Sequence, residues 1–117
     1  MAHKRIVLID DEKALRESIA DFLRIKGNIV FEASNGAQGL KVIEHNKPQV
    51  VICDILMPEM DGFEVLQNAS KLIDRSNITW IVLTALNDED TKEKCLSLGA
   101  QHFITKPFRI NDLLEIL

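Results

Sequence analysis

The stretch VVICDILMPEMDGFEVL (50–66) contains a strand, a turn and the start of a helix. Val50, Val51, Ile52 and Cys53 form a short, continuous apolar run, as expected of a strand covered on both faces. Asp54 ends the run. Asp61-Gly62 then opens a helix whose apolar positions, Val65, Leu66 and Ala69, recur at helical spacing. A doubly covered strand followed by an amphipathic helix is half of a βαβ unit, so the same alternation is expected on either side.

The rest of the chain repeats it. RIVLI (5–9), IVFEA (29–33), WIVLT (80–84) and HFIT (102–105) read as further strands. Leu15, Ile19, Phe22 and Leu23 mark one face of a first helix, with Gly27 as its stop. Ala37 to Asn46 predicts a second helix, ended by Lys47-Pro48, and Asp90 to Leu98 a fourth, before Gly99. Ile110, Leu113, Leu114 and Leu117 begin a fifth. Five strands alternating with five helices predict right-handed crossovers and a doubly wound parallel α/β sheet as one domain over residues 1–117. The fifth helix is in mid-pattern where the chain stops, which reads as a piece cut within or just after helix 5 of a longer protein. Gly39 stands inside the second helix, where glycine costs about 1 kcal/mol against alanine unless close packing requires it.

Composition narrows the function. At 117 residues with 46% hydrophobic and 27% charged, the chain can bury one ordinary core. No apolar run approaches the roughly 20 residues of a membrane span, and the charged N-terminus lacks a secretory pattern, so a cytoplasmic location is expected. A net charge of −4 gives no general attraction for nucleic acid. Cys53 and Cys95 lack C-x-x-C spacing and read as small buried hydrophobes. His3, His45 and His102 share no ligand spacing. Met57 and Met60 read as loop packing, and Trp80 as filling the sheet–helix interface.

In an open α/β sheet, ligands bind beyond the carboxyl ends of the strands. There the chain places Asp10-Asp11 after strand 1, Asp54 after strand 3, Thr84 at the end of strand 4 and Lys106-Pro107 after strand 5. Taken singly, each residue has an ordinary reading: helix cap, turn aspartate, strand threonine, surface lysine. Their joint placement at four strand ends favours a site. Clustered carboxylates repel one another unless a cation intervenes or their pKa values rise. An all-oxygen set suits a hard ion such as Mg²⁺, which also binds phosphate oxygens. With a lysine and a hydroxyl beside it, the group has the make-up of a phosphoryl-transfer site with a carboxylate nucleophile.

The segments VLIDDE (7–12), VVICDILMPEMDGFEVL (50–66), IVLTA (81–85) and GAQHFITKPF (99–108) together resemble the receiver domain of two-component response regulators, over essentially the whole chain. The resemblance implies a CheY-like, flavodoxin-like (βα)₅ sheet of order 2-1-3-4-5. It implies Asp54 as phosphoacceptor, and Mg²⁺ held by Asp10, Asp11, Asp54 and the backbone carbonyl of Leu56. Lys106 would pair with phosphoryl oxygens, and its bond to Pro107 is typically cis in the family. Thr84 and Phe103 would be the switch residues. The donor would be a phosphohistidine on a sensor histidine kinase or phosphotransfer protein. Output through the helix 4–strand 5–helix 5 face, to a partner, an output domain or a second copy, is implied as well. Such a domain catalyses only its own phosphorylation and dephosphorylation.

Several residues depart from common family patterns. Phe103 has no hydroxyl to bond with water in an outward state. Leu56 and Leu86, two residues after Asp54 and Thr84, would flank the path of an attacking water and slow hydrolysis of the acyl phosphate. Helix 4 has few apolar anchors, mainly Cys95 and Leu98. Two other functions fit these residues less well. A phosphatase of the haloacid dehalogenase type needs D-x-D, and Leu56 occupies the second position. A flavodoxin-like cofactor binder needs a phosphate loop after strand 1, where this chain is acidic.

Overall fold

The computed structural model describes residues 3–117, so Met1 and Ala2 lie outside it. Five parallel strands form one sheet in the order β2-β1-β3-β4-β5: β1 (Arg5–Ile9), β2 (Ile29–Ala33), β3 (Val50–Cys53), β4 (Thr79–Thr84) and β5 (His102–Thr105). The helices are α1 (Lys13–Ile25), α2 (Gly36–Asn46), α3 (Gly62–Leu72), α4 (Glu89–Ser97) and α5 (Ile110–Glu115). The predicted α/β alternation and strand order are both present.

The period of two along each strand divides the core between the sheet's faces. On β1, Ile6 and Leu8 join Ile19, Ala20 and Leu23 of α1 and Leu113 of α5. Val7 and Ile9 point the other way, toward Ile43 of α2, Val65, Leu66 and Ala69 of α3, and Cys95 of α4. Trp80 is wholly buried on that second side, Met57 is buried with it and Met60 packs against it, as expected. Both cysteines are buried. Burial pushes the Cys95 thiol up to about 11, and desolvation pushes that of Cys53 well above its ordinary value, so neither supplies a thiolate near neutral pH.

Local chemistry sets the helix ends. Asn35 caps α2 by accepting the Gln38 N–H at 2.8 Å, and Asp61 caps α3 in a reciprocal capping box with Glu64. Asp88 accepts the Thr91 N–H at 3.0 Å, which starts α4 at Glu89, one residue before the predicted start. Gly27 and Gly99 follow α1 and α4 with φ of +96° and +104°, the left-handed geometry glycine tolerates. α4 is the most thinly anchored helix. Cys95 is its one buried residue, and Lys94 Nζ lies 4.0 Å from the centre of the Phe63 ring on α3.

Close packing accounts for Gly39. A Cβ there would come within 2.5 Å of Ile9 Cδ1 and 2.9 Å of Cγ1, and Ile9 is 1% exposed with nowhere to retreat. Helix propensity alone makes Gly39→Ala a gain of about 1 kcal/mol. Overpacking costs about 1–3 kcal/mol and should win. Gly39→Ala is expected to lower unfolding free energy by about 1 kcal/mol in a urea titration; a stabilised variant would show that Ile9 repacks freely.

Candidate functional site

Strand order decides which polar residues meet. β1, β3, β4 and β5 are adjacent, and their carboxyl ends carry Asp10, Asp54, Thr84 and Lys106 to one edge. Backbone hydrogen bonds continue one residue past the strands. The Asp10 N–H donates to the Ala33 carbonyl (3.1 Å), Asp54 N–H to the Ile9 carbonyl (3.0 Å) and Lys106 N–H to the Thr84 carbonyl (2.7 Å). These side chains therefore start from the rigid sheet.

Lys106 joins them. Its ammonium donates to Asp10 Oδ2 and Asp54 Oδ2, both at 2.8 Å, and to Glu12 Oε1 at 3.1 Å. Asp10 and Asp54 are 1% and 4% exposed, and the Lys106 side chain 10%. Desolvation raises the Asp10 carboxyl above its ordinary value, despite the opposing hydrogen bonds from Lys106 and the Glu12 N–H. Burial alone would lower Lys106, but its hydrogen bonds to Asp10 and Asp54 outweigh that and hold its ammonium above the ordinary value.

Asp54 is held on both oxygens. Oδ1 accepts the N–H groups of Ile55 (2.6 Å) and Leu56 (3.1 Å), so its free lone pairs lie mainly on the Lys106 side, at Oδ2. Gly62, the first residue of α3, explains the Asp-Gly pair. A Cβ at Gly62 would sit 2.3 Å from the Asp54 carbonyl oxygen and 2.7 Å from Ile55 Cα, both backbone atoms that cannot swing aside. Gly62 N–H also donates to the Ile55 carbonyl at 3.0 Å. Thr84 is fully buried, and its hydroxyl oxygen accepts only a long 3.4 Å bond from the Leu86 N–H. Phe103 is half-buried on β5, packed against the core that contains Trp80. The Lys106–Pro107 bond is cis.

Asp10, Asp54 and Lys106 thus meet, and Thr84 stands at the same edge, where its carbonyl accepts the Lys106 N–H. Asp11 differs: its side chain is exposed, and it stands outside the carboxylate group. That group is Asp10, Glu12 and Asp54, with ligand atoms all within 4.8 Å of one another. Asp10 Oδ1 accepts the Glu12 N–H at 2.9 Å, a tight turn that brings the Glu12 side chain to Lys106. The sequence reading missed Glu12, although it ends the VLIDDE segment. Leu56 enters the site by its N–H; its side chain is 51% exposed. Leu56, Met57, Pro58, Phe63 and Leu86 line an open, mainly apolar depression beside Asp54. The carboxylate set is made of hard oxygen donors and fits a divalent cation.

The ion pairs give a pH signature. Lys106→Met leaves Asp10 and Asp54 without their counter-charge, and a loss of about 3 kcal/mol is expected near pH 7 in metal-free buffer. Lys106 holds its proton more tightly folded than unfolded. Its contribution is whole below the ordinary value of 10.5 and is lost as pH rises past it toward the raised folded value. Asp10, raised above 3.8, instead costs stability as pH climbs through and beyond that value. Urea unfolding between pH 7 and 12 should show an alkaline loss in the wild type that Lys106→Met lacks. Parallel pH curves would remove Lys106 from the ion-pair account.

Comparison with known proteins bears on the family and the fold. Residues 6–117 match the family model of the response regulator receiver domain. The chain is 35% identical over 115 residues to the transcriptional regulatory protein PdtaR of Mycobacterium tuberculosis, covering 97% of this chain and 55% of that protein. It is 33% identical over 115 residues to sporulation initiation phosphotransferase F of Bacillus subtilis, covering 98% of this chain and 91% of that one. Among solved structures, a CheY-like response regulator receiver domain protein from Methanospirillum hungatei JF-1 matches with a TM-score of 0.90 at 33% identity, over 98% of this chain and 90% of that one. The chain spans about half the length of PdtaR, and 46% of the probable transcriptional regulator ycf27 of Porphyridium aerugineum. With its strand order and its acidic edge, the chain belongs to the response regulator receiver domain family of two-component systems.

Proposed function

We propose that Asp54 accepts a phosphoryl group from a phosphohistidine on a sensor histidine kinase or phosphotransfer protein. The observation that carries this is Lys106 Nζ, 2.8 Å from both Asp54 Oδ2 and Asp10 Oδ2 at the carboxyl edge of the sheet. Asp54 is buried, ordered by two backbone N–H groups and faced by a cation, as a carboxylate nucleophile on an anionic donor requires. After transfer, Lys106 has ammonium protons to give to phosphoryl oxygens. Mg²⁺, when bound, would neutralise charge on the transferring group. Its proposed ligands are Asp10, Asp11, Asp54 and the Leu56 carbonyl, with Glu12 competing with Asp11 for the ion.

The long bond at the Thr84 hydroxyl is a weak tie, readily exchanged for one to a phosphoryl oxygen. We infer that this movement frees space for Phe103 and biases an existing equilibrium of α4, β5 and α5, so that this face binds an output partner or a second copy. The thin anchoring of α4 suits it to be the moving part. Among the described residues no helix is long and apolar enough to cross a membrane, and we place the domain in the cytoplasm with its proposed donor. It would act as a self-modifying acceptor without a released substrate. The phosphatase reading has no support from the family match, and Leu56 stands where its second aspartate would be needed.

Incubation with acetyl phosphate, followed by intact mass measurement, tests the reading. One phosphoryl group per chain is expected, dependent on Mg²⁺ and absent in Asp54→Asn. No adduct with either acetyl phosphate or a histidine-kinase donor would refute it. Magnesium titrations of Asp11→Ala and Glu12→Ala in the same assay identify the third carboxylate ligand as the one whose loss shifts the half-saturating concentration further. Leu56→Asn should shorten adduct lifetime, because a polar side chain there can order an attacking water. An unchanged lifetime would exclude Leu56 as a shield.

A further inference from the structure

The acidic loop between β1 and α1 has a support outside the site. Beyond the strands, β2 accepts the Asp10 N–H but does not donate to the Asp10 carbonyl. Arg16 takes that carbonyl, its Nη1 donating at 2.8 Å. The Arg16 N–H donates to the Glu12 carbonyl at 2.9 Å. One residue of α1 therefore holds the carbonyls on either side of Asp11. The Arg16 side chain is only 12% exposed, and its Nε donates to Glu32 Oε1 at 3.2 Å. Glu32 lies on β2 opposite Leu8, and its Oε2 accepts from Arg24 Nη1, also at 3.2 Å. Arg24 is itself fixed to β2 by Nη2, 2.7 Å from the Val30 carbonyl.

We propose that Arg16 is a positioning residue for the cation site, clamping the loop backbone to β2 through Glu32 so that the loop carboxylates are held ready for a divalent ion. The inference rests on the Mg²⁺ reading of the site given above. The planar fork of the guanidinium suits the task, because it serves a carbonyl and a carboxylate at fixed separation. Groups that orient metal ligands in this way are worth about 10–100-fold in metal affinity. Charge alone predicts the opposite sign. Arg16 is a cation near a cation site, so its removal by itself would tighten Mg²⁺ binding, whereas loss of a clamp weakens it.

Calorimetric titration of MgCl₂ into the unphosphorylated chain separates the two effects, with metal-free thermal melts run alongside. Arg16→Ala is expected to weaken Mg²⁺ about 10-fold. Arg16→Lys keeps the charge but cannot span both acceptors, and should remain weakened. Glu32→Gln should move in the same direction. In the acetyl phosphate assay, the half-saturating Mg²⁺ concentration should rise while the rate at saturating Mg²⁺ stays within about twofold of wild type. A folded Arg16→Ala that binds Mg²⁺ equally or more tightly overturns the proposal, even if its melting temperature falls, since that leaves Arg16 with a structural role only. If Arg16→Ala does not fold, Arg16→Lys decides by the same criterion, because it leaves the charge unchanged. A wild type that binds no Mg²⁺ refutes the reading of the site itself, and the inference with it.

Discussion

A single ammonium group lies where three carboxylates from two loops converge. Asp10, Glu12 and Asp54 would repel one another at the sheet edge, and Lys106 satisfies all three at once. The lysine reaches them because its backbone is pinned to β4 through the Thr84 carbonyl and its strand lies at the sheet's far end. Without such a cation, closing β1 against β3 would bring buried like charges together at a cost that hydrophobic contacts in the strands would have to offset. The ion-pair cluster thus ties the order of the strands to the chemistry at their ends. The proposed reaction uses the same tie, since a phosphoryl group on Asp54 changes what Lys106 has to neutralise.

The elements surrounding the site divide into fixed and loose parts. Asp54 is fixed from below by β1 and from the side by α3, whose first residue approaches its backbone too closely for any side chain. The acidic loop is fixed from outside by Arg16 and Glu32. On the far side, α4 has one buried anchor and an exposed cation–ring contact, the kind worth about 0.5–1 kcal/mol. The proposed chemistry, at a rigid carboxylate beside a lightly held helix, would give a local event room to change a distant surface. A uniformly rigid domain would absorb the same event at the site.

Much of this was legible in the sequence, for physical reasons. Strands buried on both faces announce themselves as apolar runs and helices between them by spacing, so all five of each are located, the strand bounds to within one residue. Asp10, Asp54, Thr84 and Lys106 were legible because a parallel sheet carries the residues after its strands to one edge. Glu12 and Arg16 were not. Whether Asp11 or Glu12 turns toward Lys106 depends on a hydrogen bond from the Glu12 N–H to Asp10, and on how far a long side chain reaches. Arg16 looks like any polar residue of an amphipathic helix until β2 places Glu32 opposite it. The closeness of Gly39 to Ile9, and of Gly62 to Asp54, likewise depends on distances between elements, which a linear pattern does not encode.

The position of Trp80 has a practical consequence. It is the chain's single tryptophan, the chain has no tyrosine, and the indole is wholly shielded from solvent. Near-ultraviolet fluorescence therefore originates at one point, in the half of the core against which Phe103 and Leu98 pack. That point is separated from the carboxylate edge but borders the elements proposed for output. The protein thus contains an intrinsic optical reporter for the α4–β5 side of the sheet, and light emitted there can follow rearrangement of that side without an attached dye.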